Sequence, residues 1–234
     1  MKRIFSTALV CMVLTLAGLQ MSIAQEKLGV KIASIRTGDA EIKVTYPQFA
    51  GSDTVIKTAN ADLLKFAGER LQAFRKDLAQ MKKDFEGKDI PLRYSYVLEP
   101  AVSIARPDLI SLYFTEYTYT GGAHGMTYFH GRNYGVINGK PKLLALQDLF
   151  KPEVDAKKLA GERVYAQLQS NQNATWVQDG TVTADSDKLT KEFVITPAGV
   201  TFLIEQYAVS YYAAGAFFVK VPYAGFGKAL AFNY

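Results

Sequence analysis

Helical and strand-like segments are distributed unevenly along this chain, and their order constrains the fold more than any other feature. One long amphipathic helix is predicted over 55–85, where apolar residues recur at three- and four-residue steps. Strand-like runs, a second helix over 154–169 and further strand-like runs follow it. Because strands and helices do not alternate regularly, the sequence predicts an α+β fold rather than a doubly wound parallel sheet. We expect two lobes with mainly antiparallel sheets, each packed by a helix.

The predicted strands are short runs rich in aromatic and branched residues. A hairpin is predicted over 30–46, and the polar stretch 171–188 is predicted to be a loop, with a loop that contains a short strand as the alternative. Asn138-Gly139 is the strongest turn pattern, because a type I′ turn needs positive φ at both central residues. A short helix is predicted over 223–230. The other predicted strands are 93–99, 109–119, 126–137, 142–146, 193–195, 200–207 and 217–222.

The N-terminal segment has the three regions of a secretory signal peptide. Residues 1–3 form a short basic start, residues 4–19 are uncharged and mostly apolar, and Ser22-Ile23-Ala24 supplies small residues before a cut at Gln25. An uncleaved membrane anchor is the alternative, but the apolar run is at the short end of the roughly 17–25 residues of a span. The sequence therefore predicts an exported protein, either periplasmic or extracellular, that begins at Gln25.

Cleavage at this site changes what can stabilise the chain. The only cysteine, Cys11, lies inside the predicted signal peptide, so the exported chain depends on packing instead of disulfides. The full chain has 27 basic and 22 acidic residues, and so small an excess gives little support for nucleic acid binding. No membrane span is predicted after cleavage. The predicted domains are a signal peptide at 1–24, a small α+β domain at 25–90 and a larger α+β domain at 91–234.

Motifs for catalysis are missing from the sequence. It contains neither Gly-x-Ser-x-Gly nor His-Glu-x-x-His, so no catalytic residue, metal site or cofactor is predicted. His124, in the glycine-rich segment 120–125, is the one candidate acid–base group, and Glu116 or Tyr117 could orient it. The alternative is that His124 bonds to backbone groups and only supports its loop. His130, in the next strand, is interpreted as structural.

Tyrosine is concentrated in two parts of the chain. Seven of the 14 tyrosines lie between 94 and 134, and Tyr207, Tyr211 and Tyr212 form another group. The rigid ring with a polar tip suits both half-buried sheet faces and recognition surfaces, and these alternatives stay open. The predicted binding surface consists of Tyr117, Tyr119, His124, Tyr211 and Tyr212.

Six segments carry a family resemblance: 119–124, 133–139, 146–150, 193–200, 207–215 and 221–223. In this order they resemble the RsiV-like extracytoplasmic domain family over roughly 90–232, and 28–90 resembles the smaller domain that commonly precedes it. The family includes a lysozyme-sensing anti-sigma factor, and its domain also occurs beside a peptidoglycan deacetylase domain. The resemblance implies an α+β fold and binding of lysozyme, and it supplies no catalytic residue.

Together these observations predict an exported, soluble cell-envelope binding protein rather than an enzyme. Its partner would be a protein, such as a lysozyme-type muramidase, or a peptidoglycan-type wall glycan. Two alternatives stay open: a cell-wall hydrolase or esterase with His124 as base, and a structural envelope domain. Because lysozymes are commonly basic, binding one would need a local acidic patch, for which Glu99, Asp108 and Glu116 are the nearest candidates.

Overall fold

The computed structural model describes residues 30–37, 41–86 and 94–231, so the predicted signal peptide lies outside the described residues. The first lobe is a six-stranded sheet packed by one long helix. Its strands are hydrogen-bonded in chain order, from β1 to β6. The elements are β1 (Val30–Thr37), β2 (Glu41–Phe49), α1 (Thr54–Asp84), β3 (Ser95–Ala105), β4 (Ile110–Tyr119), β5 (Met126–Ile137) and β6 (Lys140–Leu143).

Helix α1 connects two strands that run parallel. β2 pairs with β3 in parallel, whereas all other neighbours in this sheet are antiparallel. A parallel pair needs a crossover, and α1 provides it while covering one face of the sheet. The buried stripe of the helix packs on the inward residues of β2 to β5. Its members are Val55, Ile56, Ala59, Leu63, Phe66, Ala67, Leu71, Phe74 and Leu78.

The second lobe is a three-stranded antiparallel sheet covered by a shorter helix. Its elements are α2 (Ala156–Gln169), α3 (Thr175–Gln178), β7 (Phe193–Thr196), β8 (Gly199–Ile204) and β9 (Phe217–Pro222). Asp155 caps α2, since its side chain accepts a hydrogen bond from the Lys158 N–H at 3.0 Å. The buried residues of α2 pack with those of the three strands in a second hydrophobic core.

Buried polar side chains join the two lobes. Ser111 on β4 donates a hydrogen bond to the Ile195 carbonyl at 2.8 Å and accepts one from the Ile195 N–H at 2.9 Å. Asn133 on β5 donates to the Phe193 carbonyl at 2.9 Å. Beside them, a Cβ on Gly131 would lie 2.1 Å from the Phe193 oxygen. β7 therefore packs directly on the face of the larger sheet that is opposite α1.

The α+β architecture with two lobes, predicted from the order of the elements, is confirmed. The hairpin turn at Asn138-Gly139 is also as predicted, with φ of 51° and 74°. The return strand, however, is Lys140–Leu143 rather than 142–146, because a two-residue turn places Lys140 opposite Ile137.

Three other segments differ from prediction. The stretch 171–188 is not only a loop, since it contains α3 and the start of a 3₁₀ turn at Asp187–Leu189. The strand predicted over 200–207 ends at Ile204. In place of one helix over 223–230, two 3₁₀ turns cover Tyr223–Gly225 and Gly227–Ala229. The domain boundary at residue 90 stays a prediction, and the larger sheet takes strands from both sides of it.

Candidate functional site

The loop between β4 and β5 presents an aromatic cluster on the side of the larger sheet that faces the second lobe. Tyr117 contributes its ring, which packs so closely on Gly125 that a Cβ there would lie 2.4 Å from it. Tyr119 donates a hydrogen bond from its hydroxyl to the Gly122 carbonyl at 3.0 Å. These two contacts brace the exposed segment that carries His124.

His124 is exposed and stacks on Tyr212 of the second lobe. The ring centroids are 3.7 Å apart and the planes are inclined by 18°. His124 Nδ1 lies 3.0 Å from the Gly125 carbonyl, to which it donates, and Tyr212 donates to the same oxygen at 3.1 Å. Because Nδ1 carries the proton, Nε2 of the neutral ring is an acceptor, 3.5 Å from the hydroxyl of Tyr207.

Tyr207 completes this cluster, although it is not part of the predicted binding surface. Its ring centroid is 5.6 Å from that of Tyr212, and 43% of the residue is exposed. Its φ of 61° is in the left-handed region, which a bulky residue rarely adopts and which often marks a functional site. The sequence predicts a strand over 200–207, and no local pattern indicates a left-handed tyrosine.

We call this surface the aromatic platform; it consists of Tyr117, Tyr119, His124, Tyr207 and Tyr212. Four of its members belong to the predicted binding surface. The fifth predicted member, Tyr211, is 64% exposed, and its ring packs against Trp176 at 5.4 Å. The structure therefore places Tyr211 in a different aromatic contact from that of the platform. Whether the platform binds a partner is still a prediction.

Glu116 does not orient His124, because it lies on the opposite face of β4, against α1. Its side chain is only 3% exposed and accepts hydrogen bonds from Tyr96 at 2.8 Å and from His130 at 2.6 Å. Arg70 of α1 lies 2.7 Å from the same carboxylate. Burial alone would raise the pKa of Glu116, but the bonds from His130, Arg70 and Tyr96 outweigh it, so the pKa lies below its ordinary value. These four residues form the Glu116 cluster, which fixes α1 to the sheet.

A small cleft adjoins the platform at Tyr207. Its volume is about 180 Å³, and it is lined by Lys188, Lys191, Glu192, Leu203, Glu205, Gln206, Tyr207 and Ala208. Three of these side chains accept hydrogen bonds from the part of β5 that does not pair with β6. Glu192 accepts from the Gly131 N–H at 2.8 Å, Glu205 from the Phe129 N–H at 3.4 Å and Gln206 from the Thr127 N–H at 3.2 Å. We call it the β5 cleft.

The geometry favours stacking over chemistry. In the described part of the chain, no group of three or more His, Cys, Asp or Glu residues is arranged to hold a metal ion. In His124, Nδ1 faces the Gly125 carbonyl and Nε2 faces the Tyr207 hydroxyl. An exposed stack of flat rings with polar edges can pack on another flat or apolar ring. Among the residues described, no helix is long and apolar enough to cross a membrane.

Comparison with known proteins divides the chain into two matched segments. Residues 37–127 match the family model described as Deacetylase PdaC, and residues 147–224 match the Protein of unknown function (DUF3298). The chain is also 27% identical over 130 residues to the Peptidoglycan-N-acetylmuramic acid deacetylase PdaC of Bacillus subtilis (strain 168). That match covers 56% of this chain and 26% of the relative, so the chain spans about a quarter of the relative's length.

Two solved structures share the fold. A member of the DUF3298 family from Bacteroides fragilis NCTC 9343 has a TM-score of 0.64 at 22% identity and covers 89% of this chain and 96% of its own. A DUF3298 family protein from Pseudomonas aeruginosa PAO1 has a TM-score of 0.60 at 20% identity, with 88% and 95% covered. Likeness at these identities concerns the fold alone. The two matched segments support the predicted resemblance to the RsiV-like, PdaC/DUF3298 domain family, and the solved structures show that the fold is shared.

Proposed function

We propose that this chain is an exported cell-envelope protein that binds a wall glycan through the aromatic platform. The observation that carries the proposal is the stack of the exposed His124 on the half-buried Tyr212, with the exposed Tyr207 beside it. Pyranose rings present apolar C–H faces that pack on aromatic rings, while the hydroxyl and imidazole edges reach sugar hydroxyls. The signal peptide predicted at 1–24 supports export.

The curated relative supports the choice of a glycan. Its name describes a deacetylase that acts on the N-acetylmuramic acid of peptidoglycan. This chain spans about a quarter of that protein, at 26% of its length, so the enzymatic activity does not carry over by similarity. What the two proteins would share is contact with the same kind of polymer.

The charge pattern favours a glycan over lysozyme. The three acidic residues predicted to form an acidic patch are all paired or buried, and the two glutamates of the β5 cleft are half-buried and accept hydrogen bonds from β5. Glu99 pairs with Lys43, Asp108 pairs with Arg106 at 2.8 Å, and Glu116 is buried in its cluster. Electrostatic attraction of a basic protein needs exposed, unpaired acidic groups. Glu116 in particular was a wrong candidate for an acidic patch, because burial removes it from the surface.

The hydrolase alternative has less support. A histidine that acts as a general base needs a free ring nitrogen close to the proton that it removes. In His124, Nδ1 donates to a carbonyl, and Nε2, which could accept a proton, lies 3.5 Å from the Tyr207 hydroxyl and, in the described part of the chain, is not beside a nucleophile. Among the described residues, His124 contacts no carboxylate and no serine hydroxyl. We therefore assign His124 to binding.

A sedimentation assay with purified, insoluble peptidoglycan tests the proposal. The full protein is expressed so that its host processes it, and the bound fraction is measured against peptidoglycan concentration. Tyr212→Ala removes the stacking partner of His124, and Tyr207→Asn removes a ring while retaining a residue that tolerates positive φ. Each variant should weaken binding by about tenfold or more, as for an anchor of an interface.

Phe218→Ala is the matched control, because Phe218 is 51% exposed but lies on β9, outside the platform. It should bind peptidoglycan as the wild type does. Thermal melting of each variant separates loss of binding from loss of folding. Equal affinity of the wild type and Tyr212→Ala, or binding of lysozyme but not of glycan in a parallel titration, would refute the proposal.

A further inference from the structure

The β5 cleft extends the aromatic platform with charged groups, and Tyr207 belongs to both. Its volume of about 180 Å³ is below the roughly 300–1,000 Å³ of ordinary ligand pockets. A cleft of this size accommodates one ring or one substituent of a longer ligand that lies on the platform. What the cleft would select therefore depends on its lining.

Two lysines of the lining extend into solvent without a carboxylate partner at salt-bridge distance among the residues described. Lys188 and Lys191 are exposed, and neither forms a salt bridge within the described part of the chain. An ammonium group is a strong donor and matches a carboxylate of a ligand. The two residues are three positions apart along the chain, and both line the same cleft. They provide a place for an anionic substituent.

The two glutamates of the cleft already accept hydrogen bonds from the backbone of β5. Glu192 and Glu205 lie deeper than the lysines and accept hydrogen bonds from N–H groups of β5. Burial raises the pKa of Glu192, and the bond from the Gly131 N–H offsets this only in part. A carboxylate has two oxygens, so each glutamate retains acceptor capacity for a hydroxyl or an amide N–H. The cleft thus offers cations at its opening and acceptors beneath them.

We propose that the β5 cleft is a subsite for a carboxylate-bearing amino sugar, with Lys188 and Lys191 binding the carboxylate and Glu192 and Glu205 accepting from hydroxyl or amide groups. This inference rests on the proposed function, because the neighbouring rings of the glycan would lie on the platform. It assigns the ligand class more narrowly, to glycans in which some units carry free carboxylates. Neutral amino-sugar polymers lack the group that the lysines recognise.

Two soluble probes separate the two proposals. Amidase-treated peptidoglycan strands have muramic acid units with free lactyl carboxylates, whereas chitohexaose has the same amino-sugar backbone without them. Binding of each to the purified protein is measured by calorimetry at low salt. The double variant Lys188→Gln, Lys191→Gln should lose about fivefold to tenfold in affinity for the strands, as expected for two exposed ion pairs. Its affinity for chitohexaose should change less than about twofold, because this neutral sugar has no carboxylate with which the lysines could form an ion pair.

The control is Lys140→Gln, Lys228→Gln, which removes two exposed lysines outside the cleft and changes the net charge equally. It should bind both probes as the wild type does. Unchanged binding of the strands by the cleft variant, or an equal loss for both probes, overturns the subsite while the platform proposal stands. If the wild type binds neither probe, both proposals are refuted.

Discussion

Replacement of Glu116 by glutamine tests whether the Glu116 cluster holds α1 on the sheet. The carboxylate is buried, and it accepts from Tyr96 and His130 at 2.8 and 2.6 Å. Buried hydrogen bonds to a charged group contribute about 1.5–3 kcal/mol each. The Arg70 side chain is 37% exposed and can turn to solvent, so its share is about 1 kcal/mol or less. Because the amide retains one acceptor oxygen, we expect a net loss of about 2–4 kcal/mol in the free energy of unfolding.

The pH dependence of this loss has a definite sign. The folded state lowers the pKa of Glu116, so its contribution is present above the unfolded value of about 4.3 and disappears as the pH falls through the folded pKa. The difference between wild type and Glu116→Gln should therefore be full at pH 7 and shrink below about pH 4. The glutamine variant has no carboxylate at this position to titrate.

Urea unfolding followed by circular dichroism, at pH 7 and at several values below 5, measures both effects. Glu99→Gln is the matched control, since Glu99 pairs with Lys43 at the surface, where both side chains are over 40% exposed. It should cost less than about 1 kcal/mol. A Glu116→Gln protein within about 0.5 kcal/mol of wild type at pH 7, the range of ordinary surface changes, would contradict the argument. So would a difference that stays constant from pH 7 to pH 3.

Three further outcomes are expected. Gly131→Ala should lower the melting temperature by several degrees, because its Cβ would lie 2.1 Å from the Phe193 oxygen and force β7 away from β5; a normal melting curve would show that the lobes adjust freely. Ser111→Ala should lower the free energy of unfolding by about 1–3 kcal/mol, because the buried Ile195 carbonyl and N–H lose a hydrogen-bond partner. An unchanged midpoint of urea unfolding would contradict a stabilising role for these bonds between the lobes. N-terminal sequencing of the exported protein should begin at Gln25, and a sequence that starts at Met1 would contradict the predicted cleavage.

Features with a local cause could be predicted from the sequence. The apolar stripe of α1 follows from helical periodicity, and the Asn138-Gly139 turn follows from its tolerance of positive φ. Pairing between distant segments could not be predicted in this way. Arg70 and Glu116 are 46 positions apart, and only the crossover of α1 brings them together. The sequence therefore indicated Glu116 as a functional candidate without showing that α1 would bury it.

The candidate site was predictable only in part, for the same reason. The sequence predicts His124 and Tyr212 as binding residues because each lies in an aromatic or glycine-rich segment, yet their stacking depends on how the second lobe packs against the first. Tyr207 was missed because it continues a strand-like pattern beyond Ile204, where the chain in fact turns. The hydrogen bonds from β5 to Glu192 and Glu205 likewise cannot be predicted from local sequence, because these glutamates are 61 and 76 positions from their partners along the chain.

The parallel pairing of β2 with β3 bears on how such a chain can be cut or recombined. A fragment that starts at residue 91 would lack both β2 and α1. Its strand β3 would have an unpaired edge, and the apolar face of the sheet that α1 covers would be exposed to solvent. Such a fragment should self-associate rather than behave as an independent module. The first matched segment, 37–127, spans this position, so its inheritance as a single unit is favoured by colloidal stability as well as by folding.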